Sequence, residues 1–117
     1  MDARILLRIE GLAVGLAATG AFFLAGGRPL LFVALILLPD VSMAGYLLDS
    51  TWGSRMYNAV HTYALPAALL LWGIWSGTDL ATVGALVWIA HIGGDRALGY
   101  GLKSADADFG TTHLQRL

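Results

Sequence analysis

The chain has 117 residues, enough for one domain, and 57% of them are hydrophobic while only 13% are charged, about half the charge a soluble domain carries. So few polar side chains cannot cover a water-facing surface, and the fold class this implies is all-α, an integral membrane four-helix bundle. The net charge of -1 gives no electrostatic footprint for nucleic acid, and the lack of cysteine excludes disulfides, thiolate metal ligands and a cysteine nucleophile.

Four apolar runs fall at roughly 5–25, 29–48, 57–76 and 80–100. Each is about 20 residues long, the length that crosses a hydrocarbon core at 1.5 Å per residue. The first follows Arg4 and Arg8 as a signal peptide would, but Glu10 sits inside it and no clear small-x-small cleavage site precedes a soluble domain, so it reads as a span. Gly11-x-x-x-Gly15 within it fits a close helix contact, as does Gly73-x-x-x-Gly77 further on. GGRP at 26–29 places Pro29 at the start of the second run. The polar DSTWGSR at 49–55 leads into the third, with Ser54 as its cap. Pro39 and Pro66 lie inside the second and third runs and predict kinks, tolerable where neighbours satisfy the freed carbonyls. SGTD at 76–79 supplies Gly77 for a helix end and Thr78 or Asp79 for the next start. The tail 101–117 is polar and belongs at the interface. Trp52, Trp72, Trp75 and Trp88 read as an interfacial belt or lipid-facing bulk.

With four spans, both termini and the loop at 49–56 share one side. Arg4, Arg8, Arg55, Arg96, Lys103 and Arg116 fall on that side and Arg28 alone on the other. The positive-inside rule therefore sets both termini in the cytoplasm, N-in and C-in.

The polar residues of the four spans share one depth. Glu10, Asp40 with Ser42, Asn58 with His61, and His91 with Asp95 and Arg96 all fall in the cytoplasmic halves of their runs. His91 and Asp95 are spaced i, i+4 and Asn58 and His61 i, i+3, so each pair shares a helix face. Ionisable groups at such depth face the bundle interior and pair there. A cytoplasm-facing pocket lined by Glu10, Asp40, Asn58, His61, His91 and Asp95 follows, with Tyr46, Tyr57 and Tyr100 at its mouth and His113 able to fold over it. Two imidazoles with two or three carboxylates suit a divalent metal, zinc, manganese or iron, and helical bundles hold such ions with ligands from facing helices. Asn58 would then support a ligand and Arg96 would hold a phosphate or carboxylate. The competing reading is a structural polar network, a membrane scaffold or small-ligand binder in which these groups specify helix packing. A haem held between His61 and His91 and a proton or ion pathway are further alternatives. The partners implied are membrane lipid, a lipid-like or small anionic substrate, and a second copy in a homodimer.

The segments RIEGLAV, LLPDVSMAGYL, YNAVHTYALP, HIGGDRALGYGLK and the closing THL resemble the small bacterial membrane family catalogued as domain of unknown function 4260, over nearly the whole chain. That family implies a multi-pass protein of the bacterial inner membrane and no stated activity. The chain is also similar, more loosely, to integral-membrane metal-dependent hydrolases related to a DNA-damage-induced inner-membrane protein. The match lies in Pro39-Asp40, a histidine on the following helix (His61), and His91-x-x-x-Asp95. This likeness implies Asp40, His61, His91 and Asp95 as metal ligands and a hydrolase of a lipid-like or phosphorylated substrate, with Glu10 as general base or further ligand. The sequence departs from that group where DVSM follows Pro39 with no second acid or histidine, and where NAVHTY replaces a second histidine-rich segment. Both departures argue against a two-metal site.

Overall fold

The computed structural model describes residues 2–102, apart from the side chains at positions 45, 46 and 50. The tail with Lys103, His113 and Arg116, and the Tyr46 side chain expected at the pocket mouth, lie outside the described residues. Helix α1 (Ala3–Leu24) starts at Asp2, whose carboxylate accepts the Arg4 N–H at 2.9 Å, a standard N-cap. Among the described residues it is the one helix both long and apolar enough to cross a membrane by length and composition.

The second apolar run does not form a single helix. Helix α2 (Pro29–Leu35) carries Pro29 in its first turn, as the sequence implies, and then stops. Pro39 has no N–H to offer the Leu35 carbonyl four residues earlier, and its ring crowds that carbonyl. The chain continues as a 3₁₀ helix (Leu38–Leu47). The third run divides in the same way, into α3 (Ser50–Val60) and α4 (Ala64–Ser76). Pro66 would leave the Thr62 carbonyl without a donor, so the break falls just before it, at 61–63. Pro66 then sits in the first turn of α4, where no N–H is needed. The two prolines therefore end helices rather than kink them, and two of the four expected unbroken spans are interrupted. The cap of α3 also differs from the expectation. Asp49 accepts the Trp52 N–H at 2.7 Å, while the Ser54 hydroxyl turns inward along its own helix to the Thr51 carbonyl at 3.0 Å.

Helix α4 ends at Gly77, whose φ of 71° lies in the left-handed region that glycine enters without penalty. Helix α5 (Asp79–Leu98) is the most buried element. It packs antiparallel on α1, with Gly93 set against Gly11 and Gly15. A Cβ added at Gly93 would stand 2.5 Å from the Gly15 nitrogen and 2.7 Å from the Gly11 oxygen. The small-residue contact predicted from Gly11-x-x-x-Gly15 is thus present, and its partner is a third glycine. Gly73 likewise meets Thr82 across the α4–α5 contact, where an added Cβ would be 2.7 Å from the Thr82 nitrogen.

An apolar core of Phe22, Val83, Leu86 and Val87, flanked by Phe32 and Leu35, fills the end of the α1–α5 pair away from His91 and Asp95. The outward faces are apolar too. Leu24 and Trp75 are each 91% exposed, and Trp52 and Trp72 are also exposed. Trp88 is the exception among the tryptophans: it is half-buried, and its indole N–H reaches inward to the Val60 carbonyl at 2.6 Å.

Candidate metal centre

Three elements and one helix break bring the site together. Helix α5 presents His91 and Asp95 on one face, one turn apart, as i, i+4 spacing requires. Asp40 comes from the first turn of the 3₁₀ helix, and His61 is the residue that caps α3 at its C-terminus. His61 Nε2 lies 3.2 Å from His91 Nε2, 3.2 Å from Asp40 Oδ1 and 3.5 Å from Asp95 Oδ2. His91 Nε2 lies 3.1 Å from Asp40 Oδ1 and 3.2 Å from Asp95 Oδ2. One ligand atom from each of the four residues falls within 4.8 Å of all the others. Metal–ligand bonds of zinc are about 2.0–2.2 Å, so tetrahedral ligands stand roughly 3.3–3.6 Å apart. Five of the six edges here measure 3.1 to 3.5 Å, close to that figure.

Both imidazoles are oriented from behind. The His61 Nδ1–H donates to the Tyr57 carbonyl at 2.9 Å, and the His61 ring stacks on the Tyr57 ring, centroids 3.8 Å apart. The His91 Nδ1–H donates to the Ile36 carbonyl, 2.5 Å away. A carbonyl can only accept, so Nδ1 carries the proton in each ring, and in the neutral form the Nε2 lone pair faces its partner. Two such nitrogens and two carboxylate oxygens lie together in one group. A carbonyl behind each histidine is the arrangement that fixes the tautomer of metal-binding imidazoles. The donor set, two nitrogens and two oxygens, fits zinc, manganese or iron. His61 and His91 are buried, whereas the Asp95 side chain is 23% and the Asp40 side chain 41% exposed. Solvent therefore approaches from the Asp40 side.

The other expected site residues stand around this group. Glu10 is exposed on α1 and lies outside the four-residue group. Asn58 is half-buried on α3, one turn before His61. Arg96 spans the helix break: its Nη2 donates to the His61 carbonyl at 3.3 Å, and its guanidinium lies over the Tyr63 ring, 5.5 Å from the centroid. Tyr57, expected at the pocket mouth, is buried beneath His61 instead, while Tyr100 is exposed. Ser42 bonds back to the Pro39 carbonyl at 2.8 Å, within its own segment. An axial haem is excluded by the geometry, because two Nε2 atoms 3.2 Å apart that both touch Asp40 leave no room for a macrocycle between them.

Sequence reasoning missed the carbonyls of Ile36 and Tyr57. The second carried a signal, an aromatic four residues before the histidine. The first carried none, because Ile36 is 55 residues from His91 and is freed only by the Pro39 break.

No curated protein and no solved structure matches the chain. A family model described as domain of unknown function (DUF4260) matches residues 4–117. That stretch contains every element that contributes to the four-residue cluster and nearly the whole chain, and the protein therefore belongs to the DUF4260 family.

Proposed function

We propose that this protein is a multi-pass membrane enzyme of the bacterial inner membrane, a metal-dependent hydrolase of a lipid-like or phosphorylated substrate, with its site toward the cytoplasm. The observation that carries the reading is the gathering of one ligand atom each from His61, His91, Asp40 and Asp95 within 4.8 Å of one another, each imidazole held by a carbonyl behind it. The membrane part is supported by α1, by the apolar residues exposed along the other helices, and by the side chains that cap backbone carbonyls where the helices break. Irregular backbone is tolerated at membrane depth only when it is satisfied in this way.

Asp40, His61, His91 and Asp95 would hold a divalent ion, which would acidify a water and polarise a substrate oxygen by taking a fifth ligand on the Asp40 side. The two imidazoles and Asp95 anchor from the buried side. Asp40, the most exposed of the four, leaves the open approach for water and substrate. Arg96 at the rim offers its remaining N–H groups to an oxyanion. Glu10, exposed and outside the cluster, acts through its charge on the rim rather than as a ligand.

A second reading has a specific observation behind it. The His91 Nδ1 bond ties α5 to the end of α2, and with one imidazole protonated the four residues form an ion-pair network that only specifies packing. One experiment separates the two. Elemental analysis by mass spectrometry compares untagged protein purified in detergent with the His61→Ala/His91→Ala double variant. Near-stoichiometric zinc, manganese or iron that disappears in the variant supports the enzyme reading. No metal in either sample, even after metal is added back, leaves the scaffold.

A further inference from the structure

The structure also holds a half-open cavity of about 430 Å³. Its walls include Leu35, Leu38, Pro39, Val60, Gly84 and Trp88. Every one of these side chains is apolar except for the indole N–H of Trp88, which is committed to the Val60 carbonyl. The cavity and the metal centre share backbone. Pro39 precedes Asp40, Val60 precedes His61, Trp88 lies one turn before His91, and Leu35 precedes the residue whose carbonyl receives His91 Nδ1. Leu80, a further lining residue, stands eight positions before Trp88, so the cavity runs about 12 Å along α5 away from the ligands. The apolar walls of the cavity and the four-residue cluster thus lie on adjoining backbone, with none of the four residues lining the cavity itself.

We propose that this cavity is the tail site for a single-chain amphiphile whose oxyanion head, carboxylate or phosphate, sits at the Asp40 side of the metal centre. The proposal rests on the metal reading above and narrows its substrate to molecules with one apolar chain. Pockets of this kind gain affinity from the buried chain and orientation from a few polar groups at one end. Here the chain lies against Leu35, Val60 and Trp88, and the head meets the bound ion and Arg96. Gly84 is the position that tests it. A Cβ there meets no atom within 4 Å, and glycine inside a helix is itself a weak helix former, so a larger residue at 84 fills the slot without displacing backbone.

The probe is a diazirine-bearing decanoic acid, photolysed with the full chain in phosphatidylcholine nanodiscs, zinc-loaded or chelator-treated, with the labelled peptides mapped. In zinc-loaded protein the label concentrates on the segments around Leu35, Val60 and Gly84–Trp88. It falls by at least about tenfold in Gly84→Phe, the loss of two or more buried methylenes, and by a smaller factor in Gly84→Leu, while metal content stays the same in both. Label spread over outward residues such as Leu24 and Trp75 and unchanged by Gly84→Phe overturns the proposal, as does equal labelling with and without zinc in a protein that binds zinc. Metal content is read separately. A protein that binds no metal and still shows cavity labelling blocked by Gly84→Phe overturns the metal centre and the head position, and leaves the tail site standing.

Discussion

The α1–α5 pair and the stretch from 29 to 63 solve the same problem in opposite ways. In the pair, two long regular helices satisfy their own backbone and approach closely because Gly11, Gly15 and Gly93 remove the side chains between them. In the stretch, Pro39 and Pro66 end helices early and leave carbonyls that no helical N–H can reach. Side chains take them up instead. His91 bonds Ile36, Ser42 bonds Pro39, Trp88 bonds Val60, and Arg96 bonds His61. The difference teaches where the chemistry comes from. Regular helices alone would point His91 and Asp95 at a neighbour. The broken stretch supplies Asp40, His61 and the carbonyls that aim the imidazoles.

The comparison breaks most severely at Gly93. Gly93→Leu drives side-chain atoms into the backbone of α1, which is rigid on that face, and is expected to cost about 3 kcal/mol. That is a large part of the stability of an ordinary domain. Thermal unfolding in detergent followed by circular dichroism checks it. Gly94→Ala is the internal control: an added Cβ there meets nothing within 4 Å, so that variant melts at the wild-type temperature or above. If both glycines tolerate substitution equally, the close contact does not hold the pair together.

Ligand variants sharpen the other side. His91→Ala removes a proposed ligand and strips the Ile36 carbonyl of its donor, so it is expected to lose both metal affinity and about 1–3 kcal/mol of stability. Asp40→Asn removes a charge at a side chain that is 41% exposed, so affinity falls while the melting temperature hardly moves. Chelator competition and thermal unfolding on the same samples measure the split. Equal loss of stability in both variants would mean that the Ile36 bond contributes nothing. Trp88→Phe is the intermediate case. It leaves the Val60 carbonyl without its donor, one residue before a ligand, and is expected to weaken metal binding by about 10-fold, in the range seen for groups that orient ligands.

The sequence displayed these two regions unequally. Helical content, the glycine contact of α1 and the gathering of Asp40, His61, His91 and Asp95 were legible, because each follows from apolar run length or from the spacing of polar residues within the runs. The breaks were not. Run length cannot distinguish one 20-residue span from a 3₁₀ segment joined to a short helix, since both are equally apolar. The two prolines marked the places, but apolar composition does not say whether a proline kinks a helix or ends it, nor which side chain takes a carbonyl left open at the break. For Ile36 that side chain is His91, 55 residues away. Tyr57 was misplaced for a related reason. Its ring lies under His61, and only the end of α3 at that histidine turns the two rings face to face.

Glu10 offers the smallest effect and the finest test. Its position along the first run matched the expected depth of the four clustered residues, and a shared depth argues for a shared pocket only if the side chain also points inward. Helix α1 turns its glycine face to α5 and leaves Glu10 exposed, so the carboxylate can influence the cluster only through space. Charges at exposed positions are weakened by solvent and salt, and a single such interaction changes an equilibrium by less than about fivefold. Glu10→Gln is therefore expected to shift the zinc dissociation constant within that bound, and the shift is expected to vanish when ionic strength is raised. Loss of a ligand would survive added salt. A salt-independent loss of zinc comparable to that of Asp40→Asn would place Glu10 in the coordination sphere and make α1 a contributor to the site, not only its support.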